Sequence, residues 1–172
     1  PDCLSHLGLA REQAVHLNLK LQPPPQASAP VAGPAPHPVT VADAAGCPRY
    51  CGLLIDGIKV GPSSAALRRR LEACGLRPIN NAVDLTNYLL LENGQPLHVF
   101  DADKLKGARI EVRPARAGER LKALDGRALE LSSEDLLICS GEHGGALAGG
   151  MGGADSEVTD ATQSLLLEVA TF

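Results

Sequence analysis

The sequence predicts a mixed α/β domain entered through an extended connection. Three observations predict it. After Arg49 most segments alternate apolar and polar residues with the period of a strand, two stretches between Ser64 and Asn93 carry helix start and stop signals, and Gln22 to Pro38 is dense in proline. With 172 residues and 44% hydrophobic content, the chain can bury one sizeable core. Only 2% of residues are aromatic and none is Trp, so Leu, Ile, Val and Ala must fill that core, and few rings remain on which successive nucleobases could stack. The net charge of -4 argues against an extended phosphate-binding face and against DNA as a partner, although Arg68-Arg69-Arg70 and the stretch from Lys104 to Arg127 are locally basic.

The five cysteines, Cys3, Cys47, Cys51, Cys74 and Cys139, are odd in number and scattered, as expected of reduced thiols in a cytosolic protein. Cys47 and Cys51 lie four apart but lack two further ligands, so no metal is expected. No leader and no apolar run of the ~20 residues a membrane span needs is evident, and a soluble cytoplasmic protein is expected, with no membrane partner. The abrupt start at Pro1 suggests a piece of something longer.

Taken in order, Ser5 to Val15 predicts a short helix and His16 to Leu21 alternates like a strand, so residues 1–21 are expected to close a preceding domain. Residues 22–48 are expected to be a proline-rich linker, and 49–172 the globular domain. Tyr50 to Val60 predicts a strand with a bulge at Asp56-Gly57. Ser64 to Cys74 predicts a helix ended by Gly75, with Ala66, Leu67 and Leu71 on its apolar face. The helix from Ala82 to Asn93 is capped by Asn80 or Asn81, carries Asp84 in its first turn and presents Val83, Leu85, Leu89 and Leu90 as its apolar side. Gly94 and Pro96 stop it, and Leu97 to Phe100 is extended, with His98 and Phe100 on one face. Strands follow at Arg109 to Arg113, at Leu121 to Leu124 and Leu129 to Leu131 across a two-residue Asp125-Gly126 turn, at Leu136 to Cys139, at Ala146 to Ala148 beyond the separating Gly141 to Gly145, and at Leu165 to Ala170.

Three features carry chemistry. Thr86, Asn87 and His98 either line a pocket or satisfy buried backbone. Gly149-Gly150-Met151-Gly152-Gly153 concentrates glycine at a cost in conformational entropy, which points to a tight backbone crossing or to the wall of a ligand pocket; no Lys-Ser/Thr follows, so a phosphate loop is discounted. Glu168 stands inside an apolar strand and needs a partner, for which an arginine is the plain expectation. No G-x-S-x-G and no cysteine with a neighbouring base is present.

The run from Arg77 to Lys104, R-P-I-N-N-A-V-D-L-T-N-Y-L-L-L-E-N-G-Q-P-L-H-V-F-D-A-D-K, resembles the signature of the B3/B4 region of the bacterial phenylalanyl-tRNA synthetase beta subunit. Pro1 to Ser5, Gly118-Glu119 with Leu124-Asp125-Gly126, Ala148 to Val158 and Leu166 to Ala170 match in the same order. The resemblance implies a three-layer β/β/α sandwich with mixed sheets and an editing function, the hydrolysis of tyrosine wrongly esterified to the phenylalanine tRNA. A pocket shaped for phenylalanine rejects tyrosine poorly, so a second site that demands the hydroxyl raises fidelity. By the same resemblance Glu168 accepts the tyrosine hydroxyl, Gly149, Gly150 and Gly152 form the adjoining wall, and Thr86 and Asn87 bind substrate near the ester, where His98 positions water or acts as base. The implied partners are the 3' end of the phenylalanine tRNA and, through the full-length beta subunit, the alpha subunit of a heterotetramer. ATP and Mg2+ belong to the whole synthetase, with no cofactor in this chain. Two other readings of the likeness are a non-catalytic tRNA-binding or scaffold module and a freestanding trans-editing protein, the latter disfavoured by the missing initiator Met.

Overall fold

The computed structural model describes residues 2–22, 24, 33, 38–105, 109–141 and 143–172. It is a mixed α/β fold in two compact units, a helical one made from the start of the chain and Pro62–Leu97, and a sheet unit made from the stretch up to Gly61 and His98–Phe172. Within the expected linker, residues 23, 25–32 and 34–37 lie outside the described residues.

In the helical unit each of the three helices begins where a side chain can accept an orphan N–H. Ser5 caps α1 (His6–His16) by accepting from Gly8 N, Ser64 caps α2 (Ala65–Ala73) by accepting from Leu67 N, and Asn80 caps α3 (Asn81–Asn93) by accepting from Val83 N at 3.0 Å. Gly94, at φ 81°, closes α3 with its N–H on Leu90 O at 2.8 Å. The strand expected over His16 to Leu21 is absent. Asn18 takes a left-handed conformation (φ 52°) and Leu19 N–H returns to Ala14 O at 2.8 Å, so the helix end consumes the backbone donors a strand would need.

Two apolar faces also differ from expectation. On α2 Leu71 is fully buried but Ala66 is exposed, and on α3 Leu85 is 52% exposed while Ala82, Asp84 and Thr86 are buried. The inward side of α3 is polar because Asp84 holds the entry loop together: its carboxylate accepts from Ser63 Oγ and from Ile79 N at 2.8 Å.

Among the described residues the sheet unit contains three sheets. β1 (Val39–Val41), β4 (Ile110–Pro114), β7 (Leu136–Ser140) and β8 (His143–Leu147) form one in the order β1-β4-β7-β8, and β2 (Arg49–Asp56), β9 (Ser164–Thr171) and β3 (His98–Asp101) form another in the order β2-β9-β3. The remaining pair is the hairpin β5 (Arg120–Lys122) with β6 (Ala128–Glu130).

The two larger sheets share a core. Phe100 and Leu166 from one meet Ile110, Val112, Ile138 and Ala146 from the other, together with Cys47. These are two sheet layers of the expected sandwich, with the large aliphatic residues supplying the packing.

Four sequence expectations are corrected here. The expected linker does not run to residue 48, since β-branched Val39-Thr40-Val41 pairs in parallel with Ile110-Glu111-Val112. β2 ends at Asp56 without a bulge, because Gly57 turns the chain at φ 69°. Gly141 to Gly145 is not a plain separator, as β8 already starts at His143. The β5–β6 loop is not a two-residue primed turn: that turn needs positive φ at both central residues, and here only Gly126 (φ 84°) has it. Gly126 N–H instead bonds Ala123 O and Ala123 N–H bonds Arg127 O, both at 2.9 Å, the three-residue loop with a bulge.

Candidate functional site

The central strand β9 carries one ionisable side chain amid apolar neighbours. In the antiparallel register Glu168 stands opposite Gly52 of β2 on one side and His98 of β3 on the other. Directly opposed residues project to the same face, so Glu168 and His98 are side-chain neighbours. Gly52 contributes no side chain to this row, and a Cβ built there would meet the Tyr50 ring at 3.8 Å. That bare position leaves the diagonal open, and Tyr50 uses it: its hydroxyl donates to Glu168 Oε2 at 3.0 Å. The partner of the buried glutamate is thus a phenol rather than the arginine expected from the sequence.

Electrostatics follow from this geometry. Glu168 is 6% exposed, and desolvation pushes its carboxyl up to about 7, opposed by the Tyr50 hydrogen bond. The Tyr50 hydroxyl is pushed up from its ordinary range by burial and by the carboxylate, which keeps it a proton donor. Burial lowers His98 below 6.5, so its ring is neutral at neutral pH. The imidazole is held edge-on to Phe100, with centroids 4.5 Å apart and planes at 72°. Cys47, buried nearby with its thiol on Arg49 O at 3.6 Å, has its pKa raised and is no nucleophile.

The glycine run divides its labour. A Cβ on Gly152 would lie 2.8 Å from His98 Cε1 and 2.9 Å from Nε2, so bare backbone is what admits the imidazole there. Gly153 makes a tight crossing, its N–H on Gly145 O at 2.7 Å and a Cβ at 2.6 Å from the same oxygen. Gly149 faces Phe172, and Gly150 faces Leu147.

Of the residues expected at the site, His98, Gly152 and Glu168 are therefore brought together, and Tyr50, which sequence reasoning passed over, joins them. Thr86 and Asn87 lie on α3 in the helical unit. The Thr86 hydroxyl donates to Val83 O at 2.7 Å, whereas the Asn87 amide has no hydrogen-bond partner among the described residues. Chemically, the sheet site offers a neutral imidazole beside a desolvated carboxyl group, one oxygen of which has no donor among the described residues.

A family model described as the B3/4 domain matches residues 46–172. The chain belongs to the B3/4 domain family. Along its whole length it is 49% identical to the phenylalanine–tRNA ligase beta subunit of Anaeromyxobacter dehalogenans and, over 99% of its length, 50% identical to that of Geobacter metallireducens, in each case covering 22% of the relative. The B3/4 chain thus spans about a fifth of the curated relatives it matches. Among solved structures, an N-terminal fragment of the phenylalanyl-tRNA synthetase beta subunit from Pyrococcus horikoshii is similar in fold, with a TM-score of 0.60 at 16% identity over 99% of this chain and 52% of that one. Among the described residues of the B3/4 chain no helix is long and apolar enough to cross a membrane.

Proposed function

We propose that this B3/4 chain is the proofreading part of a phenylalanine–tRNA ligase beta subunit and hydrolyses tyrosine from mischarged phenylalanine tRNA. The observation that carries the reading is the buried Glu168 carboxylate with a phenolic hydroxyl already on one oxygen. A carboxylate that already accepts one phenol is chemically fitted to accept the hydroxyl of a tyrosine, and its other oxygen has no donor among the described residues. Phenylalanine would bury that oxygen unpaired, at a cost of about 1–3 kcal/mol or more.

His98, neutral and adjacent, takes a proton from water as the water oxygen attacks the ester carbon. The carbon–oxygen bond to the ribose breaks, and the proton passes to the departing hydroxyl. General-base help of this kind is worth about 10²–10⁴-fold. Bare backbone at Gly152 leaves room for the edge of the imidazole. Gly149 and Gly150 as wall, and Thr86 and Asn87 as substrate contacts, rest on the family resemblance, the free amide of Asn87 being better suited than the committed hydroxyl of Thr86. The 3' end of tRNA and the alpha subunit are the partners this reading requires. It requires no cofactor in this chain, ATP and Mg2+ serving ligation elsewhere in the enzyme.

Single-turnover deacylation by the full-length ligase carrying this sequence tests it. Tyrosyl-tRNA(Phe) should be hydrolysed at least tenfold faster than phenylalanyl-tRNA(Phe). Equal rates on both would overturn the reading in favour of a non-catalytic module.

A further inference from the structure

We infer that Tyr50 is a specificity-positioning residue, which acts through its hydrogen bond on Glu168 to keep the carboxylate in the acceptor form that tells a tyrosyl group from a phenylalanyl one. The inference rests on the proofreading reading above and deepens it.

Tyr50 is one of only two tyrosines in the chain, and its ring reclines across the side-chain-free Gly52 to reach Oε2 of Glu168. The bond runs along the diagonal between β2 and β9, a span that an aromatic side chain can cross. Among the described residues, the titratable groups facing Glu168 are Tyr50 from β2, Cys47 just before it, and His98 from β3. Neither Cys47 nor His98 can neutralise the carboxylate, since the thiol is protonated and the imidazole is kept uncharged by burial. Among the described residues the phenol is the group that favours the ionised form.

Ionisation decides what the site can distinguish. A charged carboxylate only accepts hydrogen bonds, so a phenylalanyl ring against it leaves the oxygen that Tyr50 does not reach desolvated and without a donor. A protonated carboxyl is neutral, can turn its own O–H elsewhere, and tolerates either ring at little cost. Without the phenol the Glu168 pKa rises further, the acid form takes over at neutral pH and the sieve loosens. Tyr50 thus sets the pH above which proofreading is selective.

The test is Tyr50→Phe in the full-length ligase, which keeps the ring and removes only the donor. The readout is the ratio of kcat/KM for tyrosyl- over phenylalanyl-tRNA(Phe) from pH 6 to pH 9. Because kcat/KM reports free-enzyme ionisations and both substrates use the same base, the ratio cancels His98 and isolates Glu168. In the unaltered enzyme the ratio should climb through about pH 7. In the variant the midpoint should move up by on the order of one pH unit, so that selectivity at pH 7 falls roughly five-fold and returns at high pH. A carboxyl-carbon NMR titration of Glu168 should show the same displacement. A variant whose profile overlays the unaltered one, with Glu168→Gln still destroying selectivity, overturns the role of Tyr50 and leaves proofreading standing. Selectivity that survives Glu168→Gln overturns both.

Discussion

Two carboxylates in the sheet unit have opposite environments. At the bend before β5, Glu119 receives both nitrogens of the Arg113 fork at 2.8 and 2.9 Å and the backbone N–H of Arg116 at 2.8 Å. Its pKa is held down to about 2, chiefly by the arginine hydrogen bonds. On β9, Glu168 receives one phenol and, among the described residues, no cation, and burial pushes it up to about 7. One acid is saturated and the other is left wanting a donor. Saturation holds a fold together; an unmet acceptor in a dry place holds a ligand.

The comparison breaks most visibly in stability. Glu119→Ala strands Arg113, whose side chain is 11% exposed, and should cost about 2–3 kcal/mol by denaturant unfolding. Glu168→Gln, which keeps shape and a carbonyl for Tyr50, should cost nothing or stabilise slightly. A larger loss at Glu168 than at Glu119 would invert the assignment of structural and functional roles.

A pH series sharpens the contrast with a sign. Glu119 is depressed from 4.5 to about 2, so the stability it contributes is present above about 4.5 and is lost as pH falls toward 2. Glu168 is raised from 4.5 to about 7, so its contribution is present below about 4.5 and is lost as pH rises toward 7. Glu119→Gln should flatten the acid limb of the stability curve and Glu168→Gln the limb between 4.5 and 7, each measurable by thermal melts at constant ionic strength.

The smallest effect is expected from alanine at Gly152. An added Cβ presses on the far end of His98 and on Leu124 Cδ1 at 2.9 Å, neither of them backbone, so Gly152→Ala should fold. Tyrosyl-ester hydrolysis should slow by roughly 3–10-fold as the imidazole is displaced. Gly152→Trp should block the site while the fold persists, and an unfolded tryptophan variant would assign Gly152 to the structural crossing instead.

Legibility in the sequence followed the range of the interactions. The caps at Asn80 and Gly94, the extended run at His98 and the acid embedded in β9 were all visible, because capping, turn chemistry and periodicity act within a few residues. Tyr50 was not visible. It meets Glu168 across 118 positions, and only the β2–β9 register, with a glycine in the intervening place, brings them together. A polar partner for Glu168 could be demanded from the sequence, but its identity depended on a pairing that local pattern does not encode. Asp84 is in the first turn of α3 as the sequence indicates, but its two fixing bonds come from outside the helix, from Ser63 Oγ before α2 and Ile79 N after it, and local pattern does not encode them. β1 was hidden within proline-rich surroundings, where three β-branched residues are too short a signal.

The most direct test of the account is the ratio of tyrosyl- to phenylalanyl-tRNA(Phe) hydrolysis by the full-length ligase at pH 8 before and after Glu168→Gln. Removing the charged acceptor should shrink that ratio by about 10–100-fold with the melting temperature held or raised. A ratio that stays where it was, in a protein that remains folded, would mean that the acid of β9 does not recognise the substrate hydroxyl.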